Sequence, residues 1–357
     1  MNVLMRNKMT WVKSLVESTI LTSIPSCYAY STHPSHGGDA TSTEVVDKDQ
    51  RLIPTIDFSL LISGSPQQRS LCVQQLGDAC RDWGFFYVTN HGVPQKVIQG
   101  ILQACLSFFN MSEEDKKEFE GTHVMDPIRC GTSFNSSVEN VLCWRDFLKV
   151  SVHPEFHFPH KPASFSDISL DYCKRVRGVA LELIGGISES LGLEKDYIKK
   201  ALEMESGLNS FIANFYPPCP QPKLAIGLPP HSDRGVLTLL VENQGGGLEI
   251  KHNGRWIQPC APPNSFLVNV ADHLEILSNG KYKSVVHRVA VNNKTTRISL
   301  AISHGPSAKN VIVPAQELLL KNNQLAAYWG MKYEEYFMLQ QSNQLNGKSC
   351  LDRIRIG

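Results

Sequence analysis

Two histidines and one aspartate have the residue types and the spacing of ligands for a metal ion. His231 and Asp233 stand two residues apart, in an apolar run that favours strands. Residues i and i+2 of a strand point to the same face, so the imidazole and the carboxylate could bind one ion. His287 lies in a second strand-like run, 283–289. Two imidazoles and one carboxylate form a facial ligand set that suits Fe(II) and leaves coordination positions open.

Arg297 and Ser299 repeat the i, i+2 spacing ten residues after His287. A guanidinium offers a planar fork that fits a carboxylate, and a hydroxyl beside it adds a donor. The same strand face continues with the small residues Ala301, Ser303 and Gly305. A His-x-Asp alone is weak evidence, since a buried histidine with a polar partner is commoner. The combined set predicts a metal site beside an anion site and a cavity.

Several longer runs match one known family. They are residues 214–220, 227–233, 277–288 and 297–299, with 53–57 and 83–93 upstream. On these runs the chain resembles the plant 2-oxoglutarate- and Fe(II)-dependent dioxygenases, over roughly residues 50 to 345. Within that class it looks most like the flavanone 3-hydroxylases and the salicylate-hydroxylase (downy-mildew-resistance) oxygenases.

The resemblance implies the fold and the cofactors. The fold would be α+β, with a double-stranded β-helix (jelly-roll) core and flanking N- and C-terminal helices. His231, Asp233 and His287 would hold Fe(II). The cosubstrate 2-oxoglutarate would fill two of the open positions, with its far carboxylate on Arg297 and Ser299, and O2 would take the last. Ascorbate is the expected reductant.

Two further residues are assigned to the cosubstrate through the resemblance. Asn214 and Tyr216 alternate with Phe215 in a strand and share one face. By family position both polar side chains would reach the 2-oxoglutarate. The alternative, that they only close hydrogen bonds inside the barrel, stays open.

Strand face and family position also nominate residues that contact the substrate. The candidates are Phe134, Phe147, Lys149, Ile212, Ser303 and Gly305. An apolar, partly aromatic lining suits a flat aromatic or terpenoid acceptor. Lys149 has two interpretations. It could point to water, as most lysines do, or its ammonium could meet a carboxylate or phenolate on the substrate and favour acidic aromatics.

The function implied is hydroxylation of a small aromatic or other specialised metabolite or hormone in a plant, with release of succinate and CO2. Desaturation, O-demethylation or ring closure on the same iron site stays open. An oxidase that needs no 2-oxoglutarate is a further alternative, and so is a catalytically silent ligand-binding protein. The complete ligand set and the intact anion-binding pair disfavour both.

Composition limits the partners and the compartment. A net charge of +1 gives no basic patch for nucleic acid or an anionic membrane surface. No run approaches the ~20 apolar residues of a membrane span, and Lys13 and Glu17 interrupt the apolar N-terminal residues, which favours a short amphipathic helix over a secretory signal. Ten cysteines without a Cys-x-x-Cys motif favour free thiols in the cytoplasm. We expect a small-molecule substrate and a monomer.

Four regions are expected along the chain: a short helix and mobile linker (1–50), a mixed α/β region (51–205), the jelly-roll core (206–315), and a C-terminal helix and tail (316–357). Periodicity predicts helices over 67–83, 95–110, 166–191, 196–204 and 317–339. Strands are predicted over 52–58 and 85–89, and short strands between 211 and 313. Asp272 is expected to be structural, as a helix N-cap.

Overall fold

The computed structural model describes residues 11–18, 21–30, 53–243 and 245–356. The helices are α1 (Val12–Ser18), α2 (Phe58–Ser63), α3 (Pro66–Asp82), α4 (Gln95–Phe109), α5 (Glu113–Lys117), α6 (Phe165–Ser190), α7 (Tyr197–Ala201), α8 (Asp272–Leu277), α9 (Gln316–Asn322), α10 (Tyr333–Gln341) and α11 (Ser349–Asp352). The strands are β1 (Thr55–Asp57), β2 (Phe85–Thr89), β3 (Ile128–Thr132), β4 (Asp146–His153), β5 (Gly207–Tyr216), β6 (Leu228–His231), β7 (Leu237–Glu242), β8 (Leu248–His252), β9 (Arg255–Ile257), β10 (Phe266–Val270), β11 (His287–Val289), β12 (Arg297–Ser307), β13 (Val311–Ile312) and β14 (Met331–Lys332).

The strands form one large sheet, one smaller sheet and one short pair. The large sheet has the order β1-β2-β10-β7-β12-β5-β4-β3, and the smaller sheet has the order β6-β11-β8-β9. β1 is parallel to β2, whereas the other pairs of both sheets are antiparallel. This mixture of helices and large sheets confirms the α+β class.

Helix α6 anchors the helical layer. Its apolar residues recur at intervals of three and four, which places them on one face. The buried members of this face include Val176, Val179, Ala180, Leu183, Ile184 and Ile187. The face packs against α3, α4 and the strands β7 and β12. The helix ends before Gly192, whose φ of +77° is the left-handed conformation that commonly terminates a helix.

The short N-terminal helix predicted from the sequence is present as α1. Its first two backbone N–H groups, on Val12 and Lys13, donate to the Asp146 carboxylate of β4, each at 2.8 Å. Trp11, just before the helix, is buried, and Lys116 Nζ lies 4.1 Å from its ring centroid. These contacts fix α1 to the body of the protein. The linker predicted for 31–50 lies outside the described residues.

Three predicted elements differ from the structure because side chains or backbone turns end them early. The strand predicted to reach Phe58 stops at Asp57, which accepts a hydrogen bond from Ser59 N and so caps α2. The helix predicted over 196–204 ends at Ala201, two residues before Glu203, which has a φ of +49°. The helix predicted over 317–339 is wrong as one element. Asn323 adopts a φ of +50° and ends α9, and strand β14 separates it from α10.

Two other expectations concern the membrane and the cysteines. Within the described ranges, no helix combines the length and hydropathy needed to cross a bilayer. All ten cysteines are free thiols, as predicted.

Candidate functional site

His231, Asp233 and His287 converge at one end of the smaller sheet. His231 ends β6 and His287 begins β11, and the two residues are directly opposite each other in the antiparallel pair. Their rings therefore lie on the same face, with centroids 4.2 Å apart. The Nε2 atom of each histidine is 3.7 Å from Asp233 Oδ1. One ligand atom from each of the three residues falls within a 4.8 Å cluster that could hold a metal ion.

The reason given for Asp233 in the sequence analysis is wrong, although its position in the cluster agrees with the prediction. β6 ends at His231, so Asp233 is not in a strand. It lies in the turn that follows, where its carbonyl oxygen accepts from Asp272 N at 2.8 Å and its Oδ2 accepts from Asn269 Nδ2 at 3.0 Å. Gly235, with a φ of +96°, then reverses the chain into β7 in a conformation that other residues rarely adopt.

The backbone fixes how both histidines present their nitrogen atoms. His231 Nδ1 is 2.8 Å from the Pro229 carbonyl oxygen, and His287 Nδ1 is 3.1 Å from that of Val285. A carbonyl oxygen only accepts, so Nδ1 carries the proton in each ring and Nε2 keeps a lone pair. Both lone pairs are on the nitrogen atoms that approach Asp233. This is the tautomer that a metal ligand needs.

The electrostatics of the cluster favour the same protonation states. Burial, with the neighbouring His287, lowers the pKa of His231 to about 3. Burial alone would raise the pKa of Asp233, but the two imidazoles and the Asn269 amide outweigh it, and the net shift is downward. A neutral His231 and an ionised Asp233 are the forms that bind a cation.

Arg297 and Ser299 lie on β12 with the orientation predicted from their spacing. Arg297 is 2% exposed, and its Nη1 donates to Ser299 Oγ at 3.1 Å. Its Nε donates to Glu242 Oε2 at 2.8 Å, and Nη2 bonds to the same oxygen. Glu242 was missed in the sequence analysis, because only the pairing of β7 with β12 brings it there. The Glu242 carboxylate therefore holds the Arg297 guanidinium through Nε and Nη2, and Nη1 is left for Ser299.

Tyr216 and Asn214 are opposite Arg297 and Ser299 in the pairing of β5 with β12. The Arg297 guanidinium carbon is 5.0 Å from the centroid of the Tyr216 ring. Asn214 Nδ2 donates to Ser299 Oγ at 3.4 Å, whereas Asn214 Oδ1 is buried with no hydrogen-bond partner among the described residues. An unpaired buried amide oxygen is costly unless a ligand or water satisfies it.

The three candidate metal ligands and the four polar residues on β5 and β12 line one cavity. It is lined by all three metal-ligand candidates and by Asn214, Tyr216, Arg297 and Ser299. Of the predicted substrate residues, it is also lined by Phe134, Lys149, Ile212 and Ser303. Apolar side chains complete the wall, among them Phe85, Leu228, Leu240, Leu248, Leu267, Val289 and Leu345.

Two predicted substrate residues do not join this lining. Phe147 is buried, and the Arg145 guanidinium carbon and Lys149 Nζ lie 5.1 Å and 5.8 Å from its ring centroid. Gly305 packs against the Tyr333 side chain so closely that a Cβ atom there would collide with it. The structure brings the other four substrate candidates to the cavity and leaves these two behind it.

Lys149 does not point to water, which removes one of its two interpretations. Its side chain is buried and donates to Gln341 Oε1, and its Nζ is 5.1 Å from the centroid of the Phe134 ring. Two more cations, Arg145 and Arg234, line the same cavity and were missed as site residues. Arg145 directly precedes β4 and stands four residues before Lys149, a spacing already present in the sequence.

Asp272 is structural, as predicted, but it is not an N-cap. Ala271 is the N-cap residue of α8, and Asp272 is the first residue inside the helix. Its buried carboxylate accepts from Ser232 Oγ at 3.1 Å, Ser284 Oγ at 2.6 Å and Tyr336 Oη at 2.7 Å. These bonds tie α8 and α10 to the residue between His231 and Asp233.

Comparison with known proteins agrees with this site. Residues 208–306 match the family model of the 2OG-Fe(II) oxygenase superfamily. Residues 53–167 match a model described as non-haem dioxygenase in morphine synthesis N-terminal. The first model spans both histidines, Asp233 and the Arg297–Ser299 pair.

Individual proteins are similar over most of the chain. The 2-oxoglutarate-dependent dioxygenase 19 of Oryza sativa subsp. japonica is 44% identical over 305 residues, 85% of this chain and 90% of that protein. Protein DMR6-LIKE OXYGENASE 1 of Arabidopsis thaliana is 36% identical over 350 residues, 96% of this chain and 99% of that protein. A crystal structure of JOX2 in complex with 2OG, Fe and JA superposes with a TM-score of 0.85 at 29% identity, covering 98% of this chain and 99% of that one. These similarities confirm the resemblance that the motifs predicted.

Proposed function

Because the chain belongs to the 2OG-Fe(II) oxygenase superfamily, we propose that it hydroxylates a small plant metabolite or hormone at the cavity around His231, Asp233 and His287. It is a 2-oxoglutarate-dependent dioxygenase and thus an oxidoreductase. The observation that carries the assignment of the site is the cluster of two Nε2 lone pairs and one carboxylate within 4.8 Å.

The chemistry of the cluster fits Fe(II). Two neutral imidazoles and one carboxylate on a single side leave the opposite side open to a cosubstrate and O2. Bound iron would supply the activation of O2 that is coupled to decarboxylation of 2-oxoglutarate, and ascorbate is proposed as the reductant that keeps it ferrous. The chain contributes the orientation of the ligands. The Pro229 and Val285 carbonyl groups hold the imidazoles, and the Asn269 amide holds Asp233.

The Arg297–Ser299 pair is proposed to bind the far carboxylate of 2-oxoglutarate. Arg297 lines the same cavity as the three candidate metal ligands. Glu242 accepts from its Nε, and its Nη1 donates to Ser299. The Tyr216 hydroxyl and the unsatisfied Asn214 amide would supply further polar contacts. The apolar wall of the cavity would exclude water from the reacting groups.

The finer features of the fold and setting are also proposals. The large and small sheets are proposed to form a double-stranded β-helix over 206–315, with 51–205 packed on it and 316–357 closing it. The protein is further proposed to be a monomer acting on a small molecule. Ten free thiols suit a reducing compartment, and we propose the cytoplasm.

The test is turnover of purified protein with Fe(II), ascorbate and 2-oxoglutarate across a panel of aromatic metabolites. We expect one class of compound to stimulate succinate formation and to gain one oxygen atom by mass spectrometry. Loss of two hydrogens or of a methyl group would instead identify a desaturase or an O-demethylase. Turnover without 2-oxoglutarate would identify an oxidase.

The matched variants are Asp233→Ala and Asp171→Ala. Asp233→Ala removes one of three metal ligands, so it should form no product while keeping the circular dichroism spectrum of the parent. Asp171 lies on α6, where it pairs with Arg175 and is half exposed, and its replacement should leave turnover unchanged. Near-normal product formation by Asp233→Ala would contradict the metal site.

A further inference from the structure

Three cationic side chains line one wall of the cavity and are almost fully buried. Arg145 is 2% exposed, Arg234 is 6% exposed and Lys149 is 8% exposed. We call these three residues the cationic cluster. Long charged side chains are rarely buried unless a partner of opposite charge accompanies them.

The cationic cluster has only neutral partners in the described part of the chain. Lys149 donates to the Gln341 side chain, and Arg234 donates to Gln340 Oε1 at 3.1 Å and to Ser210 Oγ at 3.4 Å. Arg145 Nε, Arg145 Nη2 and Arg234 Nε are buried without a hydrogen-bond partner there. No described carboxylate makes a salt bridge with any of the three.

Other buried arginines near the site have carboxylate partners. Arg297 is paired with Glu242, and Arg288 Nε donates to Glu249 Oε2 at 2.6 Å. The same fold therefore supplies carboxylates to its buried cations where it uses them structurally. The cationic cluster is the exception, and its three residues line the cavity instead.

Strand pairing brings a further positive charge to the cluster. Lys149 on β4 is directly opposite Arg129 on β3, and on its other side it is opposite Ile212 on β5. Like charges directly across a pair of strands destabilise a sheet. Burial and the three arginines at positions 234, 129 and 145 all act to lower the pKa of Lys149. An anion bound among these groups would offset both the burial of unpaired charge and the repulsion between the cations.

Lys149 lies beside the proposed cosubstrate site but is separate from it. Ile212 stands between Lys149 on β4 and Ala301 on β12, so Lys149 is two strands away from the strand of the Arg297–Ser299 pair. Adjacent strands are about 4.8 Å apart, so this separation is about 10 Å. A 2-oxoglutarate carboxylate on Arg297 thus leaves the cationic cluster to a second anion.

We propose that the substrate is an aromatic carboxylic acid whose carboxylate binds Lys149 and Arg145, with Arg234 beside them and its ring against Phe134. This inference rests on the proposed function, because it assumes that the same cavity holds iron and 2-oxoglutarate. A carboxylate is ionised at neutral pH, whereas a phenol, with a pKa of about 10, is not. The Phe134 ring and the apolar wall fit the remainder of such a molecule.

The test compares acids with their amides, which have nearly the same shape but no charge. Protein loaded with Mn(II) and 2-oxoglutarate is titrated calorimetrically with four pairs: benzoate and benzamide, cinnamate and cinnamamide, 1-naphthoate and 1-naphthamide, and indole-3-acetate and indole-3-acetamide. In at least one pair the acid should bind about tenfold or more tighter than the amide. Failure of every acid to bind, or equal affinity in every pair, would overturn the proposal.

The variant Lys149→Met assigns the effect to the cluster. It should weaken the preferred acid about tenfold and leave the amide and 2-oxoglutarate unchanged. Methionine replaces a buried charge that has no partner of opposite charge, so the variant should fold at least as stably as the parent. Lys251→Met, on an exposed side chain of β8, is the matched control and should change neither ligand.

The outcomes distinguish a failure of the substrate assignment from a failure of the proposed function. Equal weakening of acid and amide, or weakening of 2-oxoglutarate in place of the acid, would overturn the substrate assignment alone. Failure of the parent protein to bind 2-oxoglutarate in the presence of Mn(II) would overturn the proposed function instead.

Discussion

Replacing Arg297 with alanine tests the cosubstrate site most directly. The guanidinium is 2% exposed and uses one nitrogen for Ser299 and two for Glu242. A hydrogen bond to a charged group contributes ~1.5–3 kcal/mol, and about 1.4 kcal/mol corresponds to a factor of ten in affinity. Arg297→Ala should therefore raise the Kd of 2-oxoglutarate about 10- to 100-fold.

Glu242 adds a second expectation to this experiment. Without Arg297, its carboxylate would have no cationic partner and would repel the dianionic cosubstrate. Its side chain is 18% exposed, so water screens part of that repulsion. Arg297→Ala/Glu242→Gln should consequently bind 2-oxoglutarate about fivefold tighter than Arg297→Ala alone, for an interaction of ~1 kcal/mol.

The assay is calorimetric titration of 2-oxoglutarate into Mn(II)-loaded protein under argon. Arg69→Ala serves as the control, since Arg69 forms a comparable pair with Glu189 between α3 and α6, far along the chain from the site. Its Kd should equal that of the parent. An unchanged Kd in Arg297→Ala would mean that another group binds the carboxylate, and a double variant no better than the single one would refute the role given to Glu242.

Three further expectations follow from individual contacts. Ser299→Ala removes one neutral donor worth ~0.5–1.5 kcal/mol and should raise the Kd of 2-oxoglutarate roughly 2- to 10-fold in the same titration. Burial raises the pKa of Asp146 to about 6. The free energy of unfolding should therefore fall as the pH rises from about 4 through 6, and urea unfolding of Asp146→Asn should show a flatter pH dependence. Lys348 Nζ donates to the fully buried Glu275 at 2.5 Å; Lys348→Met should therefore lower the free energy of unfolding by ~1.5–3 kcal/mol, and an unchanged urea midpoint would contradict this.

The metal site could be predicted from the sequence because its information is mostly local. His231 and Asp233 are two residues apart, so they stay close in almost any backbone conformation. This explains why the two side chains lie together in the structure although the stated reason, a shared strand face, does not apply to a turn residue. The place of His287 depends on the pairing of β11 with β6, which the spacing along the chain does not fix.

The groups that surround the site could not be predicted in the same way. Glu242 reaches Arg297 only through the register of β7 against β12. Gln340 and Gln341, which bond to Arg234 and Lys149, come from a helix more than 100 residues further along the chain. Strand register and long-range packing are set by the whole core, so a reading of separate segments misses these contacts.

The failed prediction of one C-terminal helix has a local cause and a functional consequence. The apolar spacing over 317–339 is helical, but Asn323 turns the chain into the left-handed region. The chain beyond it forms α10 and then returns to β6, where Gly347 N donates to the Pro230 carbonyl oxygen and Ser232 N donates to that of Gly347, at 2.8 and 3.1 Å. The end of α10 and the chain that follows it therefore supply the cavity residues Gln340 and Leu345.

The register of β4 links the N-terminal helix to the proposed substrate site. Lys149 on β4 and Arg145 just before it line the cavity, whereas the Asp146 carboxylate holds the first N–H groups of α1. A slip of one residue would exchange the two faces of β4, turning Lys149 away from the cavity and the Asp146 carboxylate into it. The bond between Asp146 and α1 opposes that slip, because the carboxylate would lose both donors. Helix α1, distant in sequence from the site, thus helps to keep Lys149 and Arg145 where the substrate is proposed to bind.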